Sequence, residues 1–198
     1  MKLLMADYGV GNIHSISKAL ELAGATVEVT SDLSRLPDAS CVVLPGVGAF
    51  DAVMGNLGPV ADKLRSRLEA GVPALSICIG THVLFSGSDE GTLPGVGYYG
   101  GRVRRLRSET VPHMGWNSVE TDDPIMDGIA DRRFYFAHSY YCDSDPEFVR
   151  GTTEYGGFAF PTLMRRANTV STQFHPEKSS DSGLAFLKNF VRFAEESI

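Results

Sequence analysis

With 198 residues, 43% of them hydrophobic and 21% charged, the chain is long enough for one sizeable core and short for two, so a single domain over 1–198 is expected. A formal net charge of −6 gives no general basic surface, which argues against nucleic acid or an anionic membrane as partner and leaves only local basic patches open. No apolar run reaches the length of a membrane span, MKLLMADYG lacks signal-peptide features, and Cys41, Cys78 and Cys142 form no C-x-x-C pair; a cytoplasmic protein with reduced thiols and no thiolate zinc site is expected.

Lys2 to Ala6 reads as a first strand, followed by a loop over 7–12 and a helix with Ile13, Ile16, Ala19, Leu20 and Ala23 on one face, stopped by Gly24. Gly9 and Gly11 do not make a dinucleotide fingerprint, because His14 stands where the third glycine would be needed. A second strand covers Ala25 to Val29. A third, Cys41 to Leu44, runs into Pro45-Gly46-Val47-Gly48, and Cys41 is read as a core residue. Val60, Leu64 and Leu68 mark a helix that closes before Gly71-Val72-Pro73, and Ala74, Leu75 and Ile77 suit a buried parallel strand. Strands alternating with helices predict a mostly parallel open sheet covered on both faces, with its active site at the carboxyl ends of the strands. From Gly95 to Tyr141 short β-rich pieces predict an antiparallel excursion. The arginines of 102–107 are read either as a solvated strand face or as a phosphate site. A last helix starting near Ser180 or Asp181 carries Leu184, Leu187, Val191 and Ala194 and is expected to pack on the sheet.

The chemistry is expected where the fourth strand ends. PALSICIGTHVL, 73–84, breaks from an apolar run at Cys78 into Gly80 and helical spacing, the pattern of a nucleophile elbow, with Ser76 and Gly80 small enough for strand and helix to pass closely. A thiol at a helix N-terminus is favoured as thiolate, and the N–H of Ile79 faces any oxyanion formed by attack. The alternative is an inert buried Cys at a strand end. Nearly a hundred residues on, QFHPEKS places Glu177 two residues after His175. In an extended chain both side chains face one side, so Glu177 orients the imidazole and leaves its other nitrogen for Cys78; otherwise the two are a surface pair. Gly46-Val47-Gly48, at the neighbouring strand end, is a candidate oxyanion loop.

With PGVG at 45–48, HMGWN at 113–117, YFAHSYY at 135–141 and QFHPEKS at 173–179, the chain resembles the class I (triad) glutamine amidotransferases. Within that class it is similar to the glutaminase subunits of imidazole glycerol phosphate synthase. The likeness runs from Asp7-Tyr8-Gly9 to the final helix and implies a flavodoxin-like architecture. It implies that Cys78, His175 and Glu177 hydrolyse glutamine to glutamate and ammonia through a thioester, with an oxyanion hole at Gly46, Val47 and Ile79, and that no metal or organic cofactor is needed. It assigns glutamine binding to Gly48, His82, His138, Ser139 and Tyr140, although His138 and Tyr140 also suit simple packing. The implied partner is a (β/α)₈ cyclase that takes the ammonia in histidine biosynthesis. Asn12, Met114, Trp116, Asn117 and Lys178 are the implied interface and ammonia-passage residues, with Trp116 as an anchor or, alternatively, core.

Two positions depart from the pattern: Ser76 stands where Gly is usual, and His82 where Gln is usual. A histidine that titrates near neutrality is expected to alter glutamine affinity or its pH dependence. The departures leave room for a glutaminase feeding another acceptor, such as a sugar precursor, for an inactive scaffold subunit, and, more distantly, for a cysteine peptidase.

Overall fold

The structure is a computed structural model and describes residues 1–9, 13–46 and 48–198. In chain order it contains β1 (Lys2–Ala6), α1 (Ile13–Leu22), β2 (Thr26–Thr30), β3 (Val42–Leu44), α2 (Phe50–Leu57), α3 (Ala61–Glu69), β4 (Ala74–Ile77) and the single turn α4 (Ile79–His82). β5 (Gly101–Arg105), β6 (His113–Ser118), β7 (Glu120–Thr121), β8 (Arg133–His138), β9 (Tyr140–Ser144), β10 (Val149–Tyr155), β11 (Phe158–Arg166), β12 (Thr169–Thr172) and α5 (Ser180–Glu196) complete it. Eight strands form the main sheet in the order β2-β1-β3-β4-β12-β11-β10-β7. The pairs among β2, β1, β3, β4 and β12 are parallel, and those from β12 outward are antiparallel. The predicted excursion is present as two small antiparallel sheets, β5 with β9 and β6 with β8. Antiparallel pairing also continues beyond 141, through the β10–β11 hairpin. Its two turn residues, Gly156 and Gly157, have φ of +61° and +75°, the conformation a tight two-residue hairpin needs.

The alternation of side chains along each strand builds the two faces. Leu3 and Met5 of β1, Val43 of β3, and Leu75 and Ile77 of β4 join Ile16 and Leu20 of α1 and Phe186, Phe190 and Ala194 of α5. Leu4 and Ala6, Val42 and Leu44, and Ala74 point the other way, against Phe50, Val53 and Leu57 of α2 and Leu64 and Leu68 of α3. Helix α2 is not foreseen in the sequence reading, although residues 50, 53, 54 and 57 are buried at helical spacing. Of the arginines of β5, Arg102 pairs with Asp89 and Arg104 with Asp143, which fits a solvated strand face. Among the described residues no helix is long and apolar enough to cross a membrane.

The turn after β4 is tied to both neighbouring strands. The Cys78 N–H donates to the Thr172 carbonyl of β12 at 2.8 Å, and α4 lies so close to β3 that a Cβ on Gly80 would stand 2.2 Å from the Leu44 carbonyl oxygen. Ser76 is also a polar tie, its hydroxyl 2.6 Å from Ser171 Oγ and 3.1 Å from Thr81 Oγ1. The Gly80→Ala variant must therefore push backbone from backbone. It is expected to lose about 1–3 kcal/mol or more of stability in urea unfolding; an unchanged midpoint contradicts this packing.

Candidate active site

Cys78 sits between β4 and α4 with φ +48° and ψ −108°, a conformation disfavoured for any residue with a side chain. The strain is held by the strand on one side and by the turn on the other, where the Thr81 and His82 N–H groups donate to the Cys78 carbonyl at 2.9 and 3.0 Å. Although the thiol is only 7% exposed, it lines a cavity of about 430 Å³ together with His175, His82, Ile79 and Gly46.

His175 approaches from the chain that leaves β12. Its Nδ1 is 2.8 Å from Glu177 Oε1, and both side chains are buried. The two are joined by the tight helical turn Pro176–Lys178, not by an extended strand, so the pairing forms for a different geometric reason from the one read in the sequence. The turn is clamped by Ser179, whose hydroxyl donates to the His175 carbonyl and accepts from the Tyr135 N–H. Burial alone would lower the His175 imidazole. The charge on the Cys78 sulfur, a hydrogen bond to it and the Glu177 carboxylate outweigh burial and push the imidazole up to about 10.

Three other histidines, His82, His113 and His138, behave oppositely. Burial pushes His82 down to about 4, His138 down to about 3 and His113 down to about 4, so His82 does not titrate near neutrality as its residue type suggests. Their partners fix the tautomers. The Asn117 amide donates to His113 Nε2 at 3.3 Å, so His113 Nδ1–H donates to His138 Nε2 at 3.1 Å, and His138 Nδ1–H to the Tyr140 carbonyl at 2.7 Å. This chain pins the 138–140 segment, which lines the cavity.

The cavity thus gathers Gly46, Gly48, Cys78, Ile79, His82, His138, Ser139, Tyr140 and His175 of the residues singled out in the sequence, with Met114 and Lys178 at its wall. Asn117 stands apart, its amide committed to His113 and to the Glu154 carbonyl. Trp116 is not core: it is 52% exposed and Met114 is 64% exposed, both on β6. Lys178 lies over the Tyr135 ring, which Trp116 meets edge-on. Val47 and Asn12 lie outside the described residues. Two groups at the site are not among the residues singled out in the sequence, although Gln173 opens the QFHPEKS motif. Glu90 lines the wall; its carboxylate accepts the Phe50 N–H at the start of α2, while burial first and Asp51 second push its pKa up against that bond. Gln173 reaches the Cys78 sulfur. Both become visible only when the sheet closes.

A strained thiol on a strand-to-helix turn, beside an imidazole oriented by a carboxylate, in a parallel α/β sheet, defines a thiol-dependent acyl-transfer site. Residues 4–193 match the family model described as "Glutamine amidotransferase class-I". The chain belongs to the class I glutamine amidotransferases. It is 45% identical over 199 residues to the imidazole glycerol phosphate synthase subunit HisH of Archaeoglobus fulgidus, covering 98% of this chain and 99% of that one. It is 44% identical over 202 residues to the same-named subunit of Gloeobacter violaceus, covering 97% and 89%. Among solved structures, one described as a glutamine amidotransferase superposes with a TM-score of 0.74 at 19% identity, covering 97% of this chain and 98% of that one. A structure of PurLQS from Thermotoga maritima superposes with a TM-score of 0.73 at 16% identity, again covering 97% and 98%.

Backbone strain at Cys78 is relieved by glycine and kept by alanine. Cys78→Gly is therefore expected to be at least as stable as Cys78→Ala by thermal unfolding, although alanine elsewhere in regular structure is favoured by about 0.5–1 kcal/mol; a clearly less stable glycine variant contradicts the strain. The three depressed imidazoles set a pH dependence. In the unfolded chain each takes a proton near pH 6.5, which the native state refuses until about pH 4 at His82 and His113 and about pH 3 at His138, so stability falls as pH drops through this window. For the deeply buried His82 and His138 the loss by pH 5 is about 2 kcal/mol each. Urea unfolding at pH 7 and pH 5 reads it, and His82→Gln is expected to flatten the slope; equal stability at both pH values contradicts neutral burial.

Proposed function

We propose that this chain, acting as one cytoplasmic domain, is the glutaminase subunit of imidazole glycerol phosphate synthase, and that it passes ammonia to a (β/α)₈ cyclase subunit in histidine biosynthesis. The observation that carries the reading is the raised, carboxylate-bound imidazole of His175 against the strained Cys78 thiol. The 45% and 44% identities to subunits of that synthase support the particular partner.

The Cys78 thiolate attacks the side-chain carboxamide carbon of glutamine. The oxyanion is received by backbone N–H groups around Val47 and Ile79, and His175, already protonated, gives its proton to the departing ammonia. The γ-glutamyl thioester is then cleaved by water that His175 deprotonates, which releases glutamate and restores the thiolate for another turn. Glu177 holds the imidazole tautomer and supports the imidazolium through both halves. The backbone of His138, Ser139 and Tyr140, with Gly48 and His82, holds the amino-acid end, and the Glu90 carboxylate faces its ammonium group. Met114, Trp116 and Lys178 form the face on which the cyclase seats, with Asn12 as a further candidate there and Asn117 supporting it from behind. Two large apolar side chains exposed beside the cavity support that placement.

In the complex with the cyclase, Cys78→Ala is expected to abolish glutamate release while ammonium salts still drive the cyclase, and Trp116→Ala to weaken the complex about tenfold or more. Glutamate release near the wild-type rate in Cys78→Ala contradicts the mechanism, and unchanged cyclase affinity in Trp116→Ala contradicts the docking face.

A further inference from the structure

The sulfur of Cys78 has a second side chain against it besides His175. β12 runs parallel to β4 with Thr172 beside Ile77, so the next residue on each chain brings Gln173 level with Cys78. The Gln173 amide Nε2 donates to the Cys78 sulfur at 3.6 Å, and its Oε1 is 2.9 Å from His82 Nε2. All three residues are enclosed: Gln173 is 0%, His82 3% and Cys78 7% exposed.

The pair His82–Gln173 can be satisfied in two arrangements, and a thiolate at Cys78 selects one of them. An amide oxygen facing His82 requires a proton on His82 Nε2, and a neutral imidazole carries only one, which agrees with its Nδ1 being buried without a partner. The flipped amide would turn a carbonyl oxygen towards a thiolate, acceptor against anion, and leave His82 Nε2 facing an N–H instead. His82, one helical turn after Cys78, therefore holds the amide N–H towards the sulfur when its own proton is on Nε2.

We propose that Gln173 is a catalytic hydrogen-bond donor to the Cys78 sulfur, and that His82 is the positioning residue that aims its N–H. The proposal rests on the glutaminase reading and adds to it a use for position 82 that does not involve contact with glutamine. The donor acts twice. Before attack it holds the thiolate opposite His175, with the sulfur lone pair turned to the cavity. In the second half, when water has added to the thioester carbon and the C–S bond breaks, the electron pair returns to sulfur and the same N–H receives it.

The test uses the complex with the cyclase and three variants: Gln173→Met, which keeps length and loses the donor, His82→Gln, which keeps a donor, and His82→Leu, which loses one. Two quantities are read, glutamate release and the rate at which iodoacetamide alkylates Cys78 at neutral pH, followed on the Cys78 peptide. Gln173→Met is expected to lower kcat and the alkylation rate together by about 10–100-fold with KM for glutamine little changed, the range for loss of a hydrogen bond to a charged group. His82→Gln is expected to stay about fivefold or more above His82→Leu in alkylation, a readout that needs no glutamine and that packing alone does not move. A folded Gln173→Met with wild-type kcat and alkylation overturns the proposal, as does equal alkylation of the two His82 variants, which decides the matter even if Gln173→Met does not fold. A wild-type complex that releases no glutamate overturns the glutaminase reading instead, and the alkylation comparison still tests the hydrogen bond.

Discussion

The site depends on one strained residue. Cys78 adopts a positive φ that its side chain disfavours, and that choice turns the thiol out of the β4 ladder into the cavity. The conformation persists because the surroundings leave no alternative. The Cys78 N–H is taken by β12 and its carbonyl by the next turn, and Gly80 lets that turn press on β3 at a distance no larger residue permits. A cost of roughly 1–3 kcal/mol in strain is thus offset by hydrogen bonds and burial on three sides.

The electrostatics follow from the same enclosure. Four imidazoles lie in or beside one cavity wall, and desolvation acts on all of them, yet only His175 has the Glu177 carboxylate and the Cys78 sulfur both acting to raise it. It alone is held protonated, while the others stay neutral and serve as directional hydrogen-bond groups. A general acid that is already charged before glutamine arrives fits a reaction whose first departing group is ammonia. The neutral chain from Asn117 through His113 and His138 to Tyr140 uses the other imidazoles to fix backbone.

Much of this was legible in the sequence for local reasons. β1 has the expected bounds and α5 the expected start, and Cys78, His175 and Glu177 meet because an elbow and an H-P-E turn are short, self-contained devices. Helix α2 escapes because Gly55 lies inside it and a glycine loop and Gly58-Pro59 flank it; it is held by tertiary contacts, with Asp51 accepting the Thr92 and Leu93 N–H groups and Glu90 accepting the Phe50 N–H. Glu90 lies in no motif, and Gln173 opens QFHPEKS without a role being legible there, since what places both is strand register and a loop clamp far along the chain. His82 was legible as a position and illegible as an acid, because only burial removes its ordinary titration. Trp116 left core and surface equally open until β6 paired with β8 and turned it outward.

The central claim is that glutamine is hydrolysed through a covalent bond to Cys78. The most direct measurement is an acid quench of the complex with its cyclase during turnover of glutamine labelled in its carbon skeleton, followed by mapping of the label. The account predicts label on the peptide that contains Cys78, released by hydroxylamine as a thioester is. Steady glutamate release with no label on that peptide, or with label on a different residue, would contradict it.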